Sequence, residues 1–290
     1  RFNWTHRMDT KADPNNNFSA NVDVKTSSFN RNALIQNQDV LEVVNSSHIN
    51  YVRRFNGKPY TLTIGASHTQ SNRTNVFSMT LPEVAFNVNR LTPFKSKISS
   101  TRKKFYESIG FKYNIRGKAT ATATDTTFFT LNTLEDVKFG INQNLDIDAN
   151  YKIMKYLNVR PYISYEEEWM FKEEKIDFDQ HYVQVTDTTI DTLYTRSTIE
   201  DGFFARRNFD LGVNFNIDIK GLYTFKKGKV KGLLHILTPT VNYNYRPDFS
   251  ESIWNYYDSY SNLESSEYVT YNKFSNTAIY GAVSNREQNR

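Results

Sequence analysis

The sequence has no cysteine. Disulfide frameworks, thiol nucleophiles and thiolate metal sites are therefore excluded. It also has no run of 18 or more apolar residues, which excludes a membrane-spanning helix. No signal peptide precedes the first apolar stretch, and Arg1-Phe-Asn-Trp-Thr5 already reads as the middle of a strand, so a mature or truncated chain is expected. Catalytic constellations are missing too. The five histidines (His6, His48, His68, His181 and His235) are scattered, without metal-ligand spacing, and no Ser/His/Asp or carboxylate cluster gathers at one place. No enzymatic role, cofactor or metal is expected. Asp177-Phe-Asp-Gln-His181, with Asp187 and Asp191, lacks the glycine and spacing of a calcium loop. The net charge of +5 is dispersed and accompanies no nucleic-acid module, so no nucleic-acid partner is expected.

Aromatics, by contrast, are abundant. The 290 residues include 21 Phe, 19 Tyr and 3 Trp, yet the mean hydropathy is −0.64. A narrow apolar band with aromatic girdles, wrapped around a polar interior, reconciles these numbers. The patterning agrees. In Phe139–Tyr151 the odd positions are mostly apolar, whereas the even positions are Gly140, Asn142, Asn144, Asp146, Asp148 and Asn150. Neighbouring residues of a strand point to opposite faces, so one face is greasy and the other polar.

Ten such stretches fall near 1–11, 18–27, 46–55, 59–69, 75–91, 105–119, 139–151, 157–171, 207–223 and 233–246. In the fifth, the apolar set Phe77, Met79 and Leu81 changes phase to Val84, Phe86 and Val88, which predicts a β-bulge near Pro82. Connections alternate in length. Asn56-Gly57 signals a type I′ hairpin turn, and 12–17, 91–104, 153–156 and 224–232 are further turns at that end. The intervening connections 29–45, 120–138 and 172–206 are long, and only 70–74 is short. The fold class expected is all-β: an antiparallel transmembrane β-barrel, about ten strands of a larger barrel, with short periplasmic turns and long outer loops. A large soluble β-sandwich is the competing reading. The tail from Asp248 has no clear period and reads as an outer loop leading toward another strand, so residues 1–290 are expected to be a partial barrel domain.

Arg7, Lys25, Lys112, Arg116 and Arg160 fall on the polar, lumen-facing positions, alongside Asp23, Asp146, Asp148 and Asp218. A mixed-charge lumen suits a saccharide or phosphate cargo, and equally a wall packed against a plug. Glu166-Glu167-Glu168 reads as a solvated rim, with Glu167 on the face opposite its neighbours. Lys95, Lys97, Arg102, Lys103, Lys104 and then Lys226, Lys227, Lys229 and Lys231 gather at the inner turns. They read as solvated turn residues, or as a mouth attracting an anionic substrate. Pro82, Pro161 and Pro239 each remove a ladder hydrogen bond, which either weakens pairing locally or shapes the barrel.

Four long phrases carry a family resemblance: Arg1–Ala20, Met79-Thr-Leu-Pro-Glu-Val-Ala-Phe-Asn-Val-Asn-Arg-Leu-Thr-Pro-Phe94, Leu157-Asn-Val-Arg-Pro-Tyr-Ile-Ser-Tyr165 and His235–Phe249. Together they resemble the barrel region of the Bacteroidetes-type lipopolysaccharide-assembly protein LptD. The resemblance implies an outer-membrane translocon in a Gram-negative cell that inserts lipopolysaccharide into the outer leaflet. Its implied partners are lipopolysaccharide, an LptE-like plug lipoprotein, periplasmic lipopolysaccharide-bridge proteins and outer-membrane lipid. A periplasmic jellyroll domain and the remaining strands, both family features, are not in this sequence. A TonB-dependent nutrient receptor or porin-type barrel is the alternative.

Overall fold

The computed structural model describes residues 2–9, 11–24, 44–71, 76–96, 104–124, 136–154, 156–185, 188–227, 231–261, 268–281 and 288–289, with single residues at 74, 127, 130, 133 and 229; the side chains of 178–195 are not described. In chain order the strands are β1 (Phe2–Arg7), β2 (Asn16–Val24), β3 (Val44–Arg54), β4 (Tyr60–Ser71), β5 (Val76–Leu91), β6 (Gly110–Thr124), β7 (Lys138–Asp148), β8 (Tyr151–Ile153), β9 (Leu157–Val185), β10 (Thr188–Ile217), β11 (Ile219–Thr224), β12 (Gly232–Leu237), β13 (Thr240–Arg246), β14 (Tyr257–Ser261), β15 (Tyr268–Asn272) and β16 (Gln288–Asn289). One antiparallel sheet runs β1-β2-β3-β4-β5-β6-β7-β9-β10-β13-β16, with β8 also paired to β9. The ten expected stretches form this wall in sequence order. Among the described residues the sheet is open, with β1 and β16 at its edges.

Register decides the faces. Cross-strand partners share a side of the sheet, so Tyr60↔Val88, Leu62↔Phe86 and Ile64↔Val84 are apolar rows, as are Leu145↔Tyr165, Leu211↔Ile163 and Phe215↔Val159. The other side carries Arg116↔Asn142, Lys112↔Asp146 and Asp210↔Ser164. Burial is inverted relative to a water-soluble protein. Leu81, Ile163 and Val241 on the apolar face are 55%, 44% and 64% exposed, while Asn142, Glu168 and Arg206 on the polar face are buried.

The register of β5 against β6 shifts between Thr80 and Glu83, around Pro82. This extra residue carries the apolar phase across the shift, so Met79 and Val84 stay on one face. Pro161 and Pro239 each fall at a ladder interruption. Ala149 N donates to Pro161 O at 3.1 Å, and Ile217 N to Pro239 O at 3.2 Å, but neither proline can return a bond. Accordingly β7 and β8 are separated at 149–150, and the β10–β13 ladder breaks at Asp218 and Pro239. Past that break β11 and β12 resume the same register, Ile219↔Leu237, but pair with no other strand among the described residues.

Several expectations are corrected. Residues 172–206 are not a loop: β9 and β10 continue as one long hairpin, with pairs from Thr188↔Val185 to Ile217↔Leu157 and one bulge between Asp201 and Phe204. Stretches such as Thr188-Thr-Ile-Asp-Thr-Leu-Tyr194 are β-branched and aromatic, and favour strand over loop. Phe105–Ser108 is a 3-10 turn, with Lys104 N bonded to the Glu107 carboxylate, and β6 starts after it. The Asn56-Gly57 turn is not type I′. Only Gly57 has a positive φ, +69°, and Lys58 N bonds Phe55 O at 3.0 Å, which suits a type II turn. Pro59 next to it cannot donate to the ladder, so the loop lengthens until Phe55 N reaches Tyr60 O. Asp13 closes the β1–β2 turn by accepting from Asn16 and from the Asn15 backbone, which holds its carboxyl below the usual range.

Gly57 has open space around it but a left-handed backbone. Gly57→Ala is expected to cost about 1 kcal/mol in urea unfolding, whereas Gly65→Ala, at ordinary φ and contact distance, serves as the near-neutral control.

Candidate functional site

The tail that follows β13 folds back over the polar face at the end of the sheet opposite the short turns. Its first anchor is an edge. Beyond the end of β13, β10 has no partner strand on that side among the described residues, and the Tyr256 hydroxyl meets the edge: it accepts from Arg207 N at 2.6 Å and donates to Arg207 O at 2.8 Å. A residue in an antiparallel strand points both groups to one side, so a single hydroxyl satisfies both. The second anchor is apolar. Phe249, Tyr256 and Phe274 form a buried cluster with Met170, and Phe204 packs on it. Asp248 starts the tail by accepting from the Ser250 hydroxyl and amide, which lowers its carboxyl below the usual range.

The third anchor is the wall of β9. Glu174 takes hydrogen bonds from Ser197 at 2.7 Å and from Asn276 at 2.8 Å, while its amide donates to Lys273 O at 2.7 Å. The Tyr271 hydroxyl accepts from Ile176 N at 3.1 Å. The tail then runs across β9, β7 and β6. Tyr280 N donates to Glu168, the Tyr280 hydroxyl donates to Arg116 O at 3.0 Å, and Lys118 Nζ lies 4.8 Å from the Tyr280 ring centre.

Beneath this cover lies a buried ion pair. Arg206 bonds both the Glu168 carboxylate and Gly281 O, and the two side chains are 6% and 2% exposed. The glutamate triplet is therefore not a solvated rim. Glu166 and Glu168 share the polar face, where Glu166 accepts from Asn142 at 2.6 Å and Asn208 at 2.8 Å. Glu167, on the apolar face, accepts from the Tyr165 hydroxyl and from Trp169 Nε1 at 2.8 Å, and pairs with Arg207 at 3.5 Å. Each of the three has its own donors. Above Glu167 the apolar face carries an aromatic row, Phe139, Phe171 and Phe203, with centroids 5.2 and 5.9 Å apart.

Two cavities flank the cover on the polar face. One of about 550 Å³ is lined by Lys118, Thr120, Thr122, Asp136, Lys138 and Ile279 among others, and one of about 290 Å³ shares Asp136 and Lys138 and adds Lys172 and Asp201. A third, about 240 Å³, lies toward the short turns between Arg90, Lys112, Asn114, Asn144 and Asp146. Thus Lys112 lines a cavity and Arg116 meets the cover through its backbone. Arg7 lies on the same face of β1, opposite Ser19, and Arg160 on β9, opposite Asn214. Lys25, Lys97, Arg102, Lys103 and Asp187 lie outside the described residues. Among the described residues no carboxylate or histidine cluster is arranged to hold a metal ion. Arg206, Glu174 and Tyr256 carry no signal in the sequence, and Glu168 reads there only as part of a solvated rim. A charged residue at a strand position two before Met170 was the available sign, but its partner lies 38 residues away.

A family model described as LptD protein matches residues 1–290. No curated protein and no solved structure matches the chain.

Removing one partner of the buried pair strands the other charge. Glu168→Ala is expected to cost about 3–5 kcal/mol and to speed trypsin cleavage after Lys273, while Glu168→Leu combined with Arg206→Met recovers most of that loss. Tyr256→Phe leaves two backbone groups of Arg207 without their partner. It is expected to cost about 1–3 kcal/mol and to raise hydrogen exchange at the Arg207 amide above that of its neighbours.

Proposed function

The chain belongs to the LptD protein family, and on that premise we propose that it forms part of the barrel wall of an outer-membrane translocon that inserts lipopolysaccharide into the outer leaflet. Membership supports a role in lipopolysaccharide transport and assembly and a place in the outer membrane, and no catalytic role. The observation that carries the finer reading is the inverted burial: one face of the wall exposes large apolar side chains, while on the other Asn142, Glu168 and Arg206 are buried. Lipid is the solvent in which such a wall is at low free energy.

The dimensions suit this reading. From Leu157 to Glu167 the apolar face of β9 is free of charge. Ten residues at ~3.3 Å each, tilted by ~40°, rise about 25 Å, the height of the apolar band of an outer-membrane barrel. Glu167 and Arg207 then stand at the outer boundary, with the Phe139, Phe171 and Phe203 row beyond it as a girdle. The short turns lie in the periplasm and the cover at the outer mouth.

Lipopolysaccharide has a charged saccharide head and several acyl tails. It needs a polar passage for the head and a seam to lipid for the tails. In this reading Arg7, Lys25, Lys112, Arg116 and Arg160 offer cationic contacts to the head. Pro82, Pro161 and Pro239 loosen the ladder, an LptE-like lipoprotein fills the rest of the lumen, and periplasmic bridge proteins deliver the cargo. Residues 1–290 are then one partial barrel domain of the Bacteroidetes type that their phrases resemble.

Conditional depletion of the gene that encodes the chain tests the reading. Surface lipopolysaccharide is expected to fall, and the inner-membrane pool to rise, before other outer-membrane proteins are lost. An unchanged lipopolysaccharide distribution together with a loss of solute uptake would instead establish a receptor or porin.

A further inference from the structure

The β11–β12 hairpin is not used by the proposed cargo path. It leaves the wall at Asp218, whose amide still donates to Tyr156 O at the neighbouring turn, and beyond that point it has no partner strand among the described residues. Six paired residues per strand at ~3.3 Å carry it about 20 Å further, less any tilt. Both of its faces are mainly apolar, with Lys220 on one and His235 on the other. Tyr223 and Leu233 continue the exposed band of Phe215 and Ile217, and Leu222 and Leu234 occupy the opposite face; all four are between 55% and 69% exposed. The turn between the strands carries Lys226, Lys227, Lys229 and Lys231, and no acidic residue occurs between Asp218 and Asp248.

These features exclude two environments and leave one. Bulk water is unfavourable for two apolar faces. The hydrocarbon core is unfavourable for the open backbone edges of two strands, each unsatisfied group costing several kcal/mol there. The bilayer interface meets both demands, since water still reaches the edge amides while the side chains leave it. A lysine cluster at its tip selects interfaces that carry negative charge. We propose that the β11–β12 hairpin is an interfacial anchor, immersed in the periplasmic-side leaflet with its lysines on the phosphates of anionic phospholipids. The ladder breaks at Asp218 and Pro239 let it settle into the leaflet without straining the wall. This rests on the reading of the wall as membrane-spanning.

The chain has no cysteine, so single labels are clean. Leu222→Cys, Leu233→Cys and, on the wall, Leu211→Cys are each spin-labelled in the full chain. Each is reconstituted into phosphatidylethanolamine vesicles containing phosphatidylglycerol, and into phosphatidylcholine alone. Accessibility to oxygen, which concentrates in lipid, is compared with accessibility to a water-soluble nickel chelate. In the anionic vesicles both hairpin labels are expected to favour oxygen, as Leu211→Cys does. That preference reverses in phosphatidylcholine, or when the four tip lysines become glutamine. Hairpin labels that favour the chelate while the wall label favours oxygen sink the anchor but keep the wall. The same preference in both vesicle types removes the role of anionic lipid and overturns the proposal. Hairpin labels shielded from both reagents mean that protein covers the hairpin, which also overturns it. A wall label that favours the chelate defeats the membrane reading itself and the anchor with it.

Discussion

Antiparallel pairing that keeps the two faces in phase across the wall, through local register shifts such as those at Pro82 and between Asp201 and Phe204, is the constraint on which the other features depend. Side chains alternate with a period of two, so a slip of one residue at any pairing exchanges the apolar and polar faces of everything beyond it. The wall contains places where such an exchange threatens, and each is handled locally. At Pro82 the apolar phase of the sequence changes and the register changes with it, so the faces are conserved. At Pro161 and Pro239 a donor is lost but no residue is inserted, and the pairing resumes in phase on the far side. Bulge and proline thus have different consequences: one moves the register, the other only removes a bond.

The register then sets the energetics of the polar face. Groups brought together there are costly to bury unless they are satisfied. Glu166 is met by asparagines of both neighbouring strands, Glu168 by Arg206 and the tail, and Glu174 by hydroxyl and amide donors. The cover is consequently held mainly by directional polar bonds around one small aromatic cluster. For the translocon role proposed above this is a useful balance, because water or the hydroxyls of a saccharide can replace such bonds at small net cost. A cover seated on a broad apolar interface would have no comparable substitute.

Much of this wall was legible in the sequence because alternation is local. Phe139–Tyr151 declares its two faces without reference to any other strand, and the phase change at Leu81–Val84 declares the bulge. The long β9–β10 extension is not legible as strand because, past Phe171, charges such as Glu173, Glu174 and Lys175 interrupt the alternation; pairing with β10 and the tail, not face polarity, keeps that stretch extended. The type of the Asn56-Gly57 turn is not legible in that dipeptide because Pro59, two residues on, governs where the ladder can close. The burial of Glu168 is hidden because nothing near it in sequence reveals Arg206 or Gly281.

The sequence by itself therefore determined the strand order, the two faces and the position of the phase change. These follow from spacing within a few residues and from the absence of any competing apolar run. Only the tertiary structure decided which carboxylate is buried, which hydroxyl completes the β10 edge, and that the tail from Asp248 turns back over the polar face. Those outcomes join residues such as Glu168 and Tyr280, 112 positions apart. Contacts of that separation leave no periodic trace, because they depend on where the folded wall happens to present an unpaired group.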